Sequence, residues 1–119
     1  MGKIPGTPEQ LAVRRKWYDA LVSGKYEQGT GVLRSKNETF CCLGVLCDLV
    51  EPASWVTGPL GEVFYMDDTT SLPPARMLDA IGMDYDMMHK FITLNDNRRL
   101  SFKQIAEYFA ERYEIGDPV

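Results

Sequence analysis

The segment "TFCCLGVLCDLV", residues 39–50, decides the fold, because it holds all three cysteines of the chain and is strongly apolar. A short apolar run fits either a buried strand or a buried helix. Helical spacing favours a helix with two adjoining apolar sides, formed by Cys42, Val45, Leu46 and Leu49 and by Leu43, Cys47 and Val50. Such a helix belongs at the centre of a domain. We therefore predict a central helix over residues 41–50, ended by Pro52.

A first helix is predicted upstream of this segment. Thr7, Pro8 and Gln10 supply an N-cap, a proline at the first helical position and a capping-box glutamine. The helix should continue through "LAVRRKWYDALVS" and end at the glycine of position 24. Trp17 lies on its apolar face, and the neighbouring cations are expected to be solvated: Arg14, Arg15 and Lys16.

Three further helices are predicted downstream. The first covers "PPARMLDAI" (residues 73–81) and the second "DYDMMHKFIT" (84–93), each with a proline or aspartate at its start. The last covers "LSFKQIAEYFAERY" (100–113), where Ser101 and Gln104 form a capping box. The residues before it, 95–97, are expected to form a turn.

Short strands complete the predicted fold. "GVLRS" (31–35) and "ETFC" (38–41) suggest a β-hairpin, and "EVFYM" (62–66) suggests another short strand. The predicted class is α+β, mostly helical, with about four to five helices and a small β-hairpin or short antiparallel sheet. We expect one globular domain over residues 1–119, with residues 1–6 and 115–119 flexible.

Charge and composition limit the classes of function. Residues 1–36 carry seven Lys/Arg against three Asp/Glu, whereas residues 37–96 carry ten Asp/Glu against two Lys/Arg. Two surfaces of opposite charge could steer a partner. A pI near 4.9 argues against nucleic-acid binding. No apolar run reaches the ~18 residues of a membrane span, so we expect no membrane association and reduced cysteines in the cytoplasm.

The cysteines suggest two kinds of chemistry. With His89 they would supply four ligands for zinc, but adjacent Cys41 and Cys42 point about 100° apart on a helix. We therefore predict no metal and no cofactor. As a nucleophile, Cys41 or Cys42 would lie at a helix N-terminus, with Gly44 leaving that face open to a substrate.

This helix start superficially resembles that of papain-like peptidases of the cell-wall hydrolase type. The resemblance implies a cysteine hydrolase with a histidine base and a third, orienting residue. His89, Asn95 and Asp96 are the candidates in this sequence. Cysteine hydrolysis is therefore our alternative hypothesis, and Cys41 is the cysteine to test.

Binding residues are less defined by sequence. An anion could be bound by four arginines if the two ends of the chain pack together: Arg14, Arg15, Arg98 and Arg99. An apolar patch at Trp55, Phe64 and Tyr65 would suit ligand binding or a structural homo-oligomer. The spacing of polar residues in "NDNRRLSFKQ" is similar to that of a calcium-binding loop. The segment lacks the required glycine and the bidentate glutamate, so no calcium site is predicted.

The order of several elements resembles a group of small hypothetical proteins encoded by bacteriophages and prophages. The shared elements are a tryptophan-containing first helix, "FCCLGVLCDL", an "LP" helix start, "LND" and "SFKQIA". No activity is established for that group. The resemblance implies an accessory protein in the bacterial cytoplasm. Our leading hypothesis is a small non-enzymatic protein that binds a host protein or a small ligand and antagonises a host defence or regulatory system.

Overall fold

The computed structural model describes residues 2–65 and 72–118, of which residues 64 and 65 are described by their backbone alone. The helices are α1 (Pro8–Ser23), α2 (Cys42–Val50), α3 (Ala75–Ile81), α4 (Tyr85–Asp96) and α5 (Phe102–Arg112). The strands are β1 (Glu27–Gln28), β2 (Thr39–Phe40), β3 (Trp55–Thr57) and β4 (Val63–Tyr65). A single 3₁₀ turn, Pro52–Ser54, links α2 to β3. The α+β class, mostly helical, is therefore confirmed.

The predicted helix caps are present. Both capping boxes form, at Thr7 with Gln10 and at Ser101 with Gln104, and Gly24 ends α1 in the left-handed conformation. The prediction for residues 95–97 was wrong in part, because α4 continues to Asp96. The last turn of α4 persists because Asn95 is buried and tertiary hydrogen bonds hold its side chain.

Two small sheets replace the simple hairpin. β1 pairs with β2 in parallel, and β3 pairs with β4 antiparallel with Trp55 opposite Tyr65. The hairpin predicted around residues 36–37 is reduced to one antiparallel bridge between Arg34 and Phe40. The strand predicted over 62–66 is present over Val63–Tyr65, and residue 66 lies outside the described residues.

α2 is the central element, as predicted. It packs against α1, α3 and α4, and α1 also packs against α5. Trp17 anchors this core, with its ring edge-on to those of Phe91 and Phe109 and its indole N–H donating to the carbonyl of Cys42 at 2.8 Å. The sequence places Trp17 on the apolar face of α1, and the structure confirms it as a core residue.

Arg14 departs from the prediction, because its side chain is fully buried and not solvated. Its guanidinium donates to five backbone carbonyls, those of Ile4, Pro5, Ile81, Gly82 and Glu114, at 2.8 to 3.1 Å. A buried cation is tolerated when all its donors are satisfied. Arg14 therefore joins three segments that are far apart in sequence.

The segments before α1 and after α5 are hydrogen bonded to the domain. Ile4 forms a parallel bridge with Tyr113, and the Gly116 amide donates to the carbonyl of Leu11 at 3.1 Å. These bonds hold parts of both segments that we predicted to be flexible, 1–6 and 115–119. Their flexibility itself stays a prediction.

Candidate functional site

Cys41 is the N-cap of α2, where its sulfur accepts a hydrogen bond from the Gly44 amide at 3.4 Å. Only 6% of the residue is exposed. Burial raises the pKa of the Cys41 thiol to about 11, with a smaller contribution from the nearby Asp96 carboxylate. The helix N-terminus and the Gly44 hydrogen bond do not offset this burial. Cys41 is therefore a protonated thiol at neutral pH.

Gly44 does not open this face to a substrate, which corrects the sequence prediction. A Cβ built on Gly44 would lie 1.8 Å from the carbonyl oxygen of Leu33. That same carbonyl accepts a hydrogen bond from the Cys41 amide at 3.2 Å. The backbone of Leu33 therefore covers the start of α2, and glycine is required because the two backbones are in contact.

Cys42 and Cys47 are fully buried core residues. The Cys42 thiol faces the carbonyl of Phe91 at 3.7 Å, and burial raises its pKa well above the ordinary value. Buried free cysteines act as small apolar residues. Within residues 2–65 and 72–118, no group of three His, Cys, Asp or Glu side chains is placed to hold a metal ion.

Asn95 does lie beside the cysteines, but its side chain is engaged in four hydrogen bonds. Its carbonyl oxygen accepts from the Cys42 amide and from the Gln28 side chain, at 3.2 and 2.9 Å. Its amide donates to the carbonyl of Gly29 and to the carboxylate of Asp96, at 2.9 and 2.8 Å. This amide satisfies buried groups from α2 and β1, so its observed role is to join α4 to them.

His89 lies apart from this network. Its side chain is exposed on α4, whereas Asn95, six residues later, is buried. Six residues rotate a helix by about 240° beyond a full turn, so the two side chains point in different directions. The described hydrogen bonds include none that joins His89 to Cys41 or Cys42. The candidate residues for a cysteine hydrolase are thus only partly brought together: Cys41, Cys42, Asn95 and Asp96 lie close, without the histidine.

The four arginines proposed for anion binding have separate roles. Arg14 donates to carbonyls inside the domain, and Arg15 pairs with Asp19 at 2.9 Å on the surface of α1. Arg98 and Arg99 are exposed after α4. Of the described contacts, none brings these side chains to one point. Arg14 is therefore excluded from a solvent-accessible anion site.

A different arginine lines a surface cleft. The cleft has a volume of about 520 Å³ between the loop before β2 and the β3–β4 hairpin. Among the described residues, its lining combines aliphatic side chains with two cations and one carboxylate: Val32, Arg34, Ser35, Lys36, Leu60, Glu62 and Val63. We call it the Arg34 cleft. Apolar walls with a few polar groups are the usual composition of a ligand site.

Two aromatic rings hold the guanidinium of Arg34. Its central carbon lies 5.2 Å from the ring centre of Phe40 and 5.5 Å from that of Trp55. Aromatic rings attract a nearby cation and favour its charge. Trp55, a predicted binding residue, therefore lies against the cleft's arginine. It is half-buried, and its indole N–H donates to Asp48 at 3.0 Å.

The hydrogen-bonding capacity of Arg34 is only partly used. Its Nη2 donates to the Glu38 carboxylate at 3.1 Å. Its Nε is buried and has no acceptor among the described residues. Nε and Nη2 form one side of the guanidinium fork, which can bind both oxygens of a carboxylate. Glu38 thus occupies half of a bidentate carboxylate position.

The loop that carries these residues is tightly ordered. The Ser35 hydroxyl accepts from the amides of Asn37 and Thr39, and the Ser35 amide donates to the carbonyl of Thr39 at 2.8 Å. Glu38 has a φ of 61°, an uncommon left-handed conformation for a glutamate. Such strain is concentrated at functional sites in proteins. The strained turn places the Glu38 carboxylate beside Arg34.

The other side of the cleft is an exposed apolar turn. Leu60 is 86% exposed, the most exposed large apolar side chain among the described residues. Glu62 fixes this turn, because its carboxylate accepts from the Leu60 amide at 3.0 Å. The side chain of the remaining predicted binding residue, Tyr65, lies outside the described residues, as does that of Phe64.

Sequence reasoning missed the Arg34 cleft. The stretch "VLRSKNETF" (32–40) predicts only hairpin strands. The one local pattern that could have indicated a site is an arginine and a lysine on either side of a serine, close to an aromatic residue. The partner surface, Trp55 to Val63, lies about twenty residues away along the chain and could not be paired with it by spacing alone.

The fold and the cleft define a small, mostly helical α+β domain with a charged, partly apolar surface cleft. The model of a family described as a domain of unknown function, DUF8296, matches residues 10–74, more than half of the 119 residues, so the chain belongs to that family. The matched region contains all of α1 except its first two residues, all of α2, and every described residue that lines the Arg34 cleft. No curated protein and no solved structure matches the chain. In the described part of the chain, none of the helices combines the length and the apolar character needed to cross a bilayer.

Proposed function

We propose that this protein is a non-catalytic binding protein whose binding site is the Arg34 cleft. The supporting observation is Arg34 itself, which lies against two aromatic rings and has a buried Nε that finds no acceptor among the described residues. A buried donor without a partner has a free-energy cost, and a ligand that supplies the acceptor recovers it. Cys41, by contrast, is buried and protonated, so it does not favour a hydrolase.

The biological setting is part of the proposal. The resemblance to phage and prophage proteins supports an accessory protein that acts in the cytoplasm of a bacterial host. There it would bind a host protein and antagonise a defence or regulatory system. The exposed Leu60 beside the cleft favours a protein over a small ligand, because a protein could also cover that side chain.

Site-specific photocrosslinking in bacterial cells tests the proposal. A benzophenone amino acid replaces Leu60 at the cleft or, as the matched control, the exposed Lys103 on α5. We expect a light-dependent adduct from position 60, none from position 103, and no change when Cys41→Ser is added. Equal labelling from both positions, or none from either, would contradict the proposal.

The same experiment separates self-association from host binding. An adduct of twice the mass of the chain would indicate the homo-oligomer predicted for the apolar patch at Trp55. That result would count against a host partner at the cleft. An adduct with a different mass that disappears with Arg34→Gln, in a variant whose circular dichroism is unchanged, would support binding at the cleft.

A further inference from the structure

We infer that the ligand of the Arg34 cleft is an acidic peptide segment of a protein, with an aliphatic side chain next to a carboxylate, and that Glu38 competes with that carboxylate for Arg34. This inference rests on the proposed function and specifies the chemistry of the site. It is carried by the contacts of Arg34, Lys36, Glu38 and Leu60.

The carboxylate class follows from the Arg34 fork. Nε and Nη2 point to the same side of the guanidinium, and a carboxylate on that side accepts from both nitrogens. In the structure Nη2 donates to Glu38, while Nε finds no acceptor among the described residues. A ligand carboxylate that replaces Glu38 would accept both hydrogen bonds. The exchange therefore gains one hydrogen bond and leaves no donor buried without a partner.

Glu38 is suited to be displaced. Its side chain is 75% exposed, so it can turn outward into water at small cost. The contacts of the guanidinium with the rings of Phe40 and Trp55 do not involve Glu38, so they remain when Glu38 leaves. Arg34 thus remains preorganised for a carboxylate.

A second cation reinforces the preference. Lys36 lines the same cleft, is exposed, and forms no ion pair with any of the described residues. The carboxylate of Glu62, also in the lining, is hydrogen bonded to the Leu60 amide and fixes its own turn. Once a ligand displaces Glu38, Arg34 and Lys36 face that ligand together, which favours a negative charge.

The peptide class follows from the apolar side of the cleft. Leu60 is 86% exposed. Val32 and Val63 add apolar surface to the lining of the cleft. A small anion would contact the cations and leave this surface in water, whereas a peptide with an aliphatic residue beside its acid would cover both.

The inference is tested by selecting binders from a library of short random peptides, each displayed on its own messenger RNA. The immobilised wild-type protein should enrich peptides that place Asp or Glu next to Leu, Ile, Val or Phe. The affinity of one enriched peptide is then measured by fluorescence anisotropy for each variant. Circular dichroism confirms that each variant is folded.

Each variant has a stated expectation. Leu60→Asp should lower the affinity for the peptide by at least about tenfold, through loss of apolar contact and added repulsion. Lys36→Glu should lower the affinity about fivefold. Glu38→Asn should raise the affinity by up to about fivefold, because the competing carboxylate is gone and asparagine tolerates the positive φ. Lys103→Glu on α5 is the matched charge control and should change nothing.

Failure of the inference can be distinguished from failure of the proposed function. Enrichment of non-acidic peptides that Leu60→Asp still weakens would overturn the carboxylate inference and leave the cleft as a binding site. Weaker binding to Glu38→Asn would overturn the competition between Glu38 and the ligand. No enrichment over the bare support would overturn the peptide class, and the photocrosslinking at position 60 would then decide the proposed function separately.

Discussion

Arg34 and Glu38 form an ion pair that uses one nitrogen of the guanidinium and leaves its neighbour without an acceptor among the described residues. Nη2 lies 3.1 Å from the Glu38 carboxylate, and the adjacent Nε is buried. The pair is partly exposed and lies on a strained turn, so it contributes little to stability. We propose that this pair is part of the binding site.

Gly44→Ala should be among the most destabilising single substitutions. The new methyl group would overlap the carbonyl of Leu33, which is backbone and cannot rotate away. We expect a loss of about 3 kcal/mol in the free energy of unfolding. Urea denaturation measures this loss. Gly2→Ala is the matched control, because a Cβ at Gly2 would meet nothing within 4 Å. A variant as stable as the wild type would show that Leu33 does not pack on Gly44.

Arg14→Lys should destabilise the protein although it keeps the charge. A lysine has three donors on one nitrogen and cannot reach the five carbonyls that Arg14 binds. We expect a loss of about 2 kcal/mol, from buried carbonyls left without donors. Arg15→Lys, on the surface of the same helix, should change stability by less than about 0.5 kcal/mol. Equal effects in thermal unfolding would refute the role of Arg14.

Cys41 should react slowly with iodoacetamide in the native protein. Its pKa is raised to about 11, so little thiolate exists at pH 7, and the thiol is buried. All three cysteines should alkylate only after denaturation, and His89→Ala should not alter the native rate. Mass spectrometry of the labelled protein follows the reaction. Rapid native labelling of Cys41 at pH 7 that depends on His89 would instead favour the cysteine hydrolase.

The stability of the protein should fall at alkaline pH. The folded state raises the pKa of Cys41 from 9.0 to about 11 and the pKa of Tyr26 and Tyr113 from 10.0 to about 12. The causes are burial in all three and, for Tyr26, also its hydrogen bond to Asp48. A group with a raised folded pKa stabilises the protein fully below its unfolded pKa, and that stability is lost as the pH rises.

Comparison with Cys41→Ser isolates the cysteine contribution. Between pH 9 and 11 the wild type should lose on the order of 2 kcal/mol more than the variant, since only the wild type must release this proton. Urea midpoints measured across this range test the expectation. Parallel pH curves for the two proteins would mean that the Cys41 thiol titrates normally.

Local chemistry explains which parts of the fold were predictable. Capping boxes, helix-ending glycines and the spacing of "CCLGVLCDLV" depend on residues within a few positions of one another, so Thr7, Ser101 and α2 were predicted from sequence. The sequence does not reveal the burial of Arg14 or the close backbone contact at Gly44, because their neighbours are distant in sequence. The carbonyls that bury Arg14 belong to segments up to 100 residues away.

The candidate site was harder to predict for the same reason. The hydrolase hypothesis names Asn95 as a possible orienting residue. In the structure its side chain accepts a hydrogen bond from the Cys42 amide, 53 positions away, which residue type alone does not indicate. Arg34 is one of 13 Lys/Arg residues, and only tertiary packing against Trp55 distinguishes it from the others. A buried donor without an acceptor is visible only in three dimensions.

The most direct test of the Arg34 cleft is the side-chain Nε–H resonance of Arg34 in a ¹⁵N-labelled sample, assigned with Arg34→Lys. The resonance should exchange slowly with water in the free protein and move downfield when an enriched acidic peptide is added, because Nε gains a carboxylate acceptor. The matching peptide with Asn and Gln in place of its acids should not move it. If the acidic peptide binds and this resonance stays unchanged, Arg34 is not the carboxylate site and the account of the cleft is wrong.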